Sequence, residues 1–154
     1  MGRSLLVRIA LLVARFNSLV TEELLDGART RLLERGVEAE KIATLRAPGA
    51  WDLPQAAKRA VDSGRYDAIV AIGCVIRGET AHFDYVAGNA SEGLGRVALD
   101  SGVPVVFGVL TTDTAEQARE RSNLHGSNRG AELADAALEL LELFAAHPPG
   151  GRSQ

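Results

Sequence analysis

The chain has little cysteine, no excess of positive charge and no hydrophobic run of membrane-spanning length. Its one cysteine, Cys74, excludes an intrachain disulfide and a multi-cysteine metal cluster. A net charge of −3 gives no sign of the basic face that nucleic-acid binding requires. The apolar run at residues 4–14 is interrupted by Arg8 and is shorter than the ~20 residues of a membrane helix. We therefore expect no nucleic-acid partner, no membrane partner and a location in the reducing cytoplasm.

The length and composition of the chain fit one domain. With 154 residues, 46% of them hydrophobic, the chain can bury a core of its own, so we treat residues 1–154 as a single domain. Residues 148–154 are rich in proline, glycine and polar side chains, and they are predicted to be a disordered tail.

Four short apolar runs alternate with helical patterns along the chain. The predicted strands cover residues 5–14, 41–47, 67–76 and 103–110. The third run is almost wholly apolar, which is typical of a strand that is covered on both faces. This alternation predicts an α/β fold, a three-layer αβα sandwich with a four-stranded parallel sheet of the flavodoxin-like type.

Glycine, proline and polar residues mark the expected helix ends. The first helix is predicted to stop at Gly36 and the third at Gly102, while Pro54 suits the first turn of the second. Asp113 and Glu116 form a capping-box pattern before the fourth helix. The fifth helix is predicted to bury one stripe, which consists of Leu133, Ala137, Leu140, Leu141 and Phe144.

Polar clusters follow each predicted strand, at residues 15–17, 49–52, 77–82 and 111–114. Ligands of parallel α/β sheets bind beyond the carboxyl ends of the strands, so these clusters are the candidate site. The phosphate-binding Walker A loop, the dinucleotide-binding glycine motif and the nucleophile elbow are all absent from the sequence. The three histidines are too scattered to indicate a metal site.

The loop at residues 78–82 is the most informative of these clusters. A strand end that leads into a helix offers unpaired backbone N–H groups, which favour an anion such as phosphate. The hydroxyl of Thr80 would add a donor, or would only cap the helix. His82 suits general acid–base catalysis because histidine exchanges protons near neutral pH, but a surface histidine without a function fits equally well.

Other candidate side chains also have purely structural explanations. Asp52 and Gln55 fit a capping box, and Trp51 would either stack on a ring or cover the core. Cys74 lies in a predicted strand, where a small buried side chain is expected rather than a nucleophile. Arg121 belongs to a charged helix, for which solvated ion pairs are the ordinary explanation. The residues alone therefore predict an α/β domain with a phosphate site beside a histidine.

Four ordered segments resemble the lumazine synthase family. They are VARFN at residues 13–17, PGAWDLP at 48–54, AIGCVIRGETAHFDYVAGNASEGL at 71–94 and PVVFGVLTTDTAEQARER at 104–121. The family pattern of the second segment is Pro-Gly-Ala-Phe-Glu-Leu-Pro. The resemblance spans roughly residues 5–145, so the chain is identified as a member of that family.

The resemblance implies a condensation in riboflavin biosynthesis. Such enzymes join 5-amino-6-(D-ribitylamino)uracil to 3,4-dihydroxy-2-butanone 4-phosphate, giving 6,7-dimethyl-8-ribityllumazine and releasing phosphate and water. They use no cofactor and no metal, and their partners are these two small molecules. They assemble as homopentamers or as larger assemblies of pentamers.

The resemblance also implies roles for particular residues. Phe16 would stack on the pyrimidine ring, His82 would transfer protons, and Phe107 would close the pocket across a subunit interface. The ribityl chain and ring would contact Ala50, Trp51 and Asp52, together with the backbone of Cys74, Val75 and Ile76. The phosphate-bearing substrate would be held by Glu79, Thr80 and Arg121.

The sequence departs from the family in two places. Asp52 and Trp51 stand where the family has glutamate and phenylalanine, and His125 and Arg129 replace two common lysines in residues 122–130. Two alternatives stay open: a paralogue with the same fold that binds a flavin or lumazine or forms a shell, and another phosphosugar enzyme of flavodoxin-like architecture. The combination of Phe16, Thr80, His82 and Arg121 favours the enzyme.

Overall fold

Four parallel strands form the centre of the protein. The computed structural model describes residues 6–79 and 82–150, with β1 at Ile9–Ala14, β2 at Ile42–Ala47, β3 at Ala68–Ile76 and β4 at Val105–Thr112. They form one sheet in the order β2-β1-β3-β4, in which every neighbouring pair is parallel. The predicted four-stranded parallel sheet is therefore confirmed. Residue 5 of the predicted first strand lies outside the described residues, and the strand itself begins at Ile9.

The two central strands are apolar because both of their faces are covered. All residues of β1 and β3 are buried, whereas the edge strand β2 alternates between buried and exposed positions. The fourth strand was predicted two residues too early. Pro104 cannot donate a ladder hydrogen bond, and the pairing with β3 continues as far as Ile76 opposite Thr112. The first two threonines of the predicted loop at residues 111–114 therefore belong to the strand.

Within residues 6–79 and 82–150, five helices cover the sheet. They are α1 (Ser18–Glu34), α2 (Leu53–Asp62), α3 (Phe83–Ser101), α4 (Ala115–Ser122) and α5 (Arg129–Ala146). Gly36 and Gly102 follow α1 and α3 with positive φ angles of 99° and 75°, which confirms both as terminating glycines. Among the described residues, no helix is long and apolar enough to cross a membrane.

The helices divide between the two faces of the sheet. One core layer contains the buried side chains of α1, α4 and α5, and the other contains those of α2 and α3. This is the predicted three-layer sandwich. The prediction for α5 was wrong at its end: Leu133 and Ala137 are buried, but Phe144 is 41% exposed because the last turns of the helix extend past the core.

Neither predicted capping box forms between the predicted residues. The cap of α4 is Thr114, whose hydroxyl accepts from the Gln117 backbone N–H at 3.1 Å, so the predicted Asp113–Glu116 pair is one residue too early. Asp52 does not cap α2 through its side chain. Its carboxylate instead accepts from the backbone N–H of Gly49 at 3.1 Å.

The strand order indicates where a ligand-binding crevice lies. The order 2-1-3-4 is that of flavodoxin-like sheets, in which the chain reverses its direction of progress between β1 and β3. The connections leave β1 and β3 toward opposite faces, so a gap opens beyond their carboxyl ends. That gap is where ligands of such sheets bind.

Candidate active site

A cavity of about 230 Å³ lies at the β1/β3 switch point. Its wall comes from the segments that follow β1 and β2, from the last residues of β3 and from the start of α3. The lining residues are Phe16, Asn17, Gly49, Ala50, Trp51, Cys74, Val75, Ile76, His82 and Val86. The structure thus brings together seven of the residues that the sequence predicted for the site.

The exit of β1 is held firmly at the mouth of this cavity. Asn17 adopts a left-handed conformation with φ of 66°, and its side-chain amide donates to the Cys74 carbonyl at 2.8 Å. The backbone N–H of Phe16 donates to the Pro48 carbonyl at 3.1 Å. Phe16 is 62% exposed, so a large apolar ring faces the opening without a covering partner in the described chain. Such a ring is suited to stacking on a flat ligand.

Trp51 is a second exposed aromatic residue of the cavity wall. It lies in the short 3₁₀ turn Ala50–Asp52, where Ala50 is buried and Trp51 is 56% exposed. The backbone of this turn is closed by the hydrogen bond from Asp52 N–H to the Gly49 carbonyl at 3.0 Å. Asp52 is outside the cavity lining, because its carboxylate turns back to Gly49 N–H. The role of Asp52 in holding the ribityl chain stays a prediction.

The end of β3 offers mainly backbone to the cavity. Cys74 and Ile76 pack into the core layer of α1, while Val75 packs into the layer of α2 and α3. Side chains alternate between the two faces of a strand, so the strand end can present its peptide groups to a ligand in the gap. The backbone contacts to the pyrimidine stay a prediction. The thiol of Cys74 is buried, as the sequence suggested for a small core residue.

His82 stands at the N-cap position of α3, exposed and on the cavity wall. Its ring lies 6.5 Å from that of Tyr85 at an interplanar angle of 52°. Of the loop that precedes it, the backbone of Arg77–Glu79 forms a short 3₁₀ turn. Thr80, predicted to hold phosphate, lies outside the described residues. In the sequence, the predicted phosphate loop ends at this histidine.

Arg77 fixes the start of α3. Its guanidinium carbon lies 4.4 Å from the centre of the Phe83 ring, and its Nε donates to Asp113 at 3.0 Å. A longer ion pair joins it to Asp84 at 3.9 Å. Each of these exposed charges contributes little to stability, but together they tie the helix that carries His82 to the end of β4.

Phe107 and Arg121 line a different cleft. This cleft has a volume of about 490 Å³ and runs along the open edge of β4, where it is also lined by Ser127, Arg129 and Glu132. Arg129 is paired with Glu132 at 2.8 Å. Within the described part of the chain, Arg121 has no ion-pair partner. The cleft therefore contains an exposed guanidinium that is available to an anion.

Within a single chain, Phe107 lies well away from the β1/β3 cavity. Phe107 pairs with Ala71, three to five residues before Cys74 and Ile76 on β3. At ~3.3 Å per residue, this places Phe107 roughly 10–16 Å back along the sheet and on its outer edge. Phe107 is nevertheless 42% exposed, so an aromatic ring projects from the edge strand toward solvent. The predicted site residues thus form two half-sites.

Asn17 and Val86 complete the cavity and were not predicted as site residues. Asn17 belongs to the polar cluster after β1, and its left-handed backbone is the kind of position that asparagine favours. Val86 is a partly buried residue of α3 that packs against the core layer of α2 and α3. Among the described residues, no group of three histidine, cysteine or carboxylate side chains could hold a metal ion.

Comparison with known families agrees with this geometry. The sequence model of the family described as 6,7-dimethyl-8-ribityllumazine synthase matches residues 6–145. The matched segment contains every strand, every described helix except the last residue of α5, and both half-sites. The chain belongs to the 6,7-dimethyl-8-ribityllumazine synthase family.

Proposed function

We propose that this protein binds its aminopyrimidine substrate in the β1/β3 cavity and completes each active site with the β4-edge cleft of a neighbouring copy. The family gives the reaction itself: the protein condenses 5-amino-6-(D-ribitylamino)uracil with 3,4-dihydroxy-2-butanone 4-phosphate to form 6,7-dimethyl-8-ribityllumazine. This transferase reaction belongs to riboflavin biosynthesis and releases phosphate and water.

One observation carries the proposal of a shared site. Phe16, Trp51 and His82 line one cleft, whereas Phe107 and Arg121 line another at an open strand edge. A contact between two different patches of the same surface is head-to-tail, and it closes into a ring when the rotation allows. A ring of five copies, or an assembly of such rings, is the proposed state.

The roles follow from the chemistry of the side chains. The exposed ring of Phe16 stacks on the pyrimidine, and Trp51 forms another part of the cavity wall. The peptide groups of residues 74–76 supply hydrogen bonds to the ring edge. Arg121, together with Glu79 and Thr80, holds the phosphate-bearing substrate. Arg121 suits this task because its planar guanidinium forms two parallel bonds to phosphate oxygens.

The reaction needs proton transfer and orientation. An amine nitrogen of the pyrimidine attacks the ketone carbon, water leaves and an imine forms. Elimination then breaks the bond to phosphate, and ring closure by the second amine nitrogen expels water. His82 accepts and returns protons in these steps, which supplies roughly 10²–10⁴-fold. Holding two substrates in register supplies a larger share, on the order of 7–11 kcal/mol of the barrier.

The direct test mixes the purified protein with the two substrates and follows lumazine by absorbance and fluorescence. The control is the same mixture without protein, because the two substrates also react slowly on their own. We expect formation well above this background. Background rates from protein that is folded by circular dichroism would instead support a paralogue that binds a flavin or lumazine without catalysing the condensation.

The cytoplasm is the proposed compartment. The chain has one cysteine, which cannot form an intrachain disulfide, and a thiol persists in a reducing environment.

A further inference from the structure

The turn that carries Trp51 has a second point of attachment, on α3. The side-chain amide of Asn89 donates to the Trp51 carbonyl at 2.9 Å. The two residues are 38 positions apart in sequence, so this bond joins separate elements. Trp51 itself is 56% exposed, and packing of its ring in the described chain therefore does little to fix the turn.

Asn89 is itself held in a rigid place. The next residue, Ala90, is fully buried, and Gly93 lies one turn further along the same face of α3. A Cβ on Gly93 would come within 2.6 Å of the Pro54 ring, so α3 packs directly on the start of α2. The amide of Asn89 is thereby presented to the turn from a helix that cannot move away freely.

The same helix carries His82 at its start. Asn89 follows His82 by two helical turns, about 10 Å along the axis. The hydrogen bond to Trp51 therefore connects the helix of the proton-transfer residue to the Trp51 wall of the cavity. The bonds through Gly49 and Asp52 close the turn upon itself, so the bond from Asn89 adds to the packing of Gly93 on Pro54 in holding the turn against α3.

We propose that Asn89 is a positioning residue, which sets the distance between the Trp51 wall and the His82 wall of the cavity and so determines how tightly the flat pyrimidine is held. This inference rests on the proposed binding of the pyrimidine in that cavity. Asn89 does not touch the reacting atoms. It acts through the Trp51 backbone, and it needs a donor to do so because the carbonyl is an acceptor.

Three variants separate this role from a general effect on folding. Asn89→Asp keeps the shape but replaces the donor by a carboxylate, which repels the Trp51 carbonyl. Asn89→Gln keeps the amide on a longer side chain. Ser91→Ala is the matched control, because the Ser91 hydroxyl donates to the Gly88 carbonyl within α3 itself. Circular dichroism and thermal melting establish that each variant is folded.

Two readouts are measured on the full-length protein. Trp51 is the sole tryptophan of the chain, so quenching of its emission by acrylamide reports the position of the turn without any turnover. Steady-state kinetics give KM for the aminopyrimidine, KM for the butanone phosphate and kcat. Loss of one hydrogen bond corresponds to about a fivefold change in an equilibrium constant.

We expect Asn89→Asp to increase acrylamide quenching and to raise KM for the aminopyrimidine by roughly fivefold, with little change in the other two constants. Asn89→Gln should restore much of both values, and Ser91→Ala should match the parent protein. Unchanged quenching in Asn89→Asp would overturn the proposal, as would changed quenching with an unchanged KM. If the parent protein makes no lumazine, the proposed function fails, while the quenching data still decide whether Asn89 fixes the turn.

Discussion

Replacement of Arg121 by alanine should weaken binding of the butanone phosphate while leaving the fold intact. The Arg121 side chain is exposed in the β4-edge cleft and has no ion-pair partner within the described chain. Its removal therefore strands no buried charge, and the free energy of unfolding should change by no more than about 0.5 kcal/mol. Hydrogen bonds to a charged group contribute about 1.5–3 kcal/mol, which corresponds to a rise in KM for this substrate of roughly 10–150-fold.

The assay is lumazine formation with each substrate varied in turn. KM for the aminopyrimidine should stay near the parent value, because that substrate binds in the other half-site. Arg121→Lys should fall between the parent and Arg121→Ala, since lysine keeps the charge and loses the paired geometry. Arg119→Ala is the matched control: it removes the same side chain from the same helix, but Arg119 lies outside the β4-edge cleft and faces α1. An equal effect of both alanine variants, or no effect of Arg121→Ala, would refute the reasoning.

Three further predictions concern catalysis and packing. His82→Ala should lower kcat by roughly 10²–10⁴-fold without abolishing turnover, because orientation of the substrates remains; a parent-like kcat would exclude a role in proton transfer. Gly93→Ala should cost about 1–3 kcal/mol in urea unfolding, since its Cβ would meet Pro54 at 2.6 Å, whereas Gly95→Ala on the same helix, with open space around its Cβ, should not destabilise the protein. Thr114→Ala should cost about 1 kcal/mol through loss of the α4 cap.

The sheet and its helix ends were predictable because they depend on local pattern. Unbroken apolar runs indicated the two central strands, and glycines at positions 36 and 102 ended α1 and α3 as expected. The cap of α4 was missed for a physical reason. Asp113–Glu116 and Thr114–Gln117 both satisfy the capping-box spacing, and only the backbone direction at the end of β4 decides between them. The periodicity of the sequence likewise could not show that α5 extends past the core before it reaches Phe144.

The candidate site was predictable only in part. Residues that follow β1, β2 and β3 converge because parallel strands end at one edge, and the cavity joins Phe16, Trp51 and His82 as expected. The hydrogen bond from Asn89 to Trp51 spans 38 residues and leaves no trace in the local pattern. The orientation of Asp52 was not predictable from the sequence either, since its carboxylate turns to accept a hydrogen bond from the Gly49 N–H.

The shared active site is tested most directly by combining two impaired variants in one assembly. Copies with His82→Ala and copies with Arg121→Ala are co-expressed with different tags, and the mixed assemblies are purified through both tags. If the two half-sites come from neighbouring copies, an equal random mixture leaves about one quarter of the sites with both side chains intact. Activity should then return to about one quarter of that of the unmutated protein. Activity no higher than the mean of the two variants measured alone would show that both residues serve the same site within one chain, and would contradict the account.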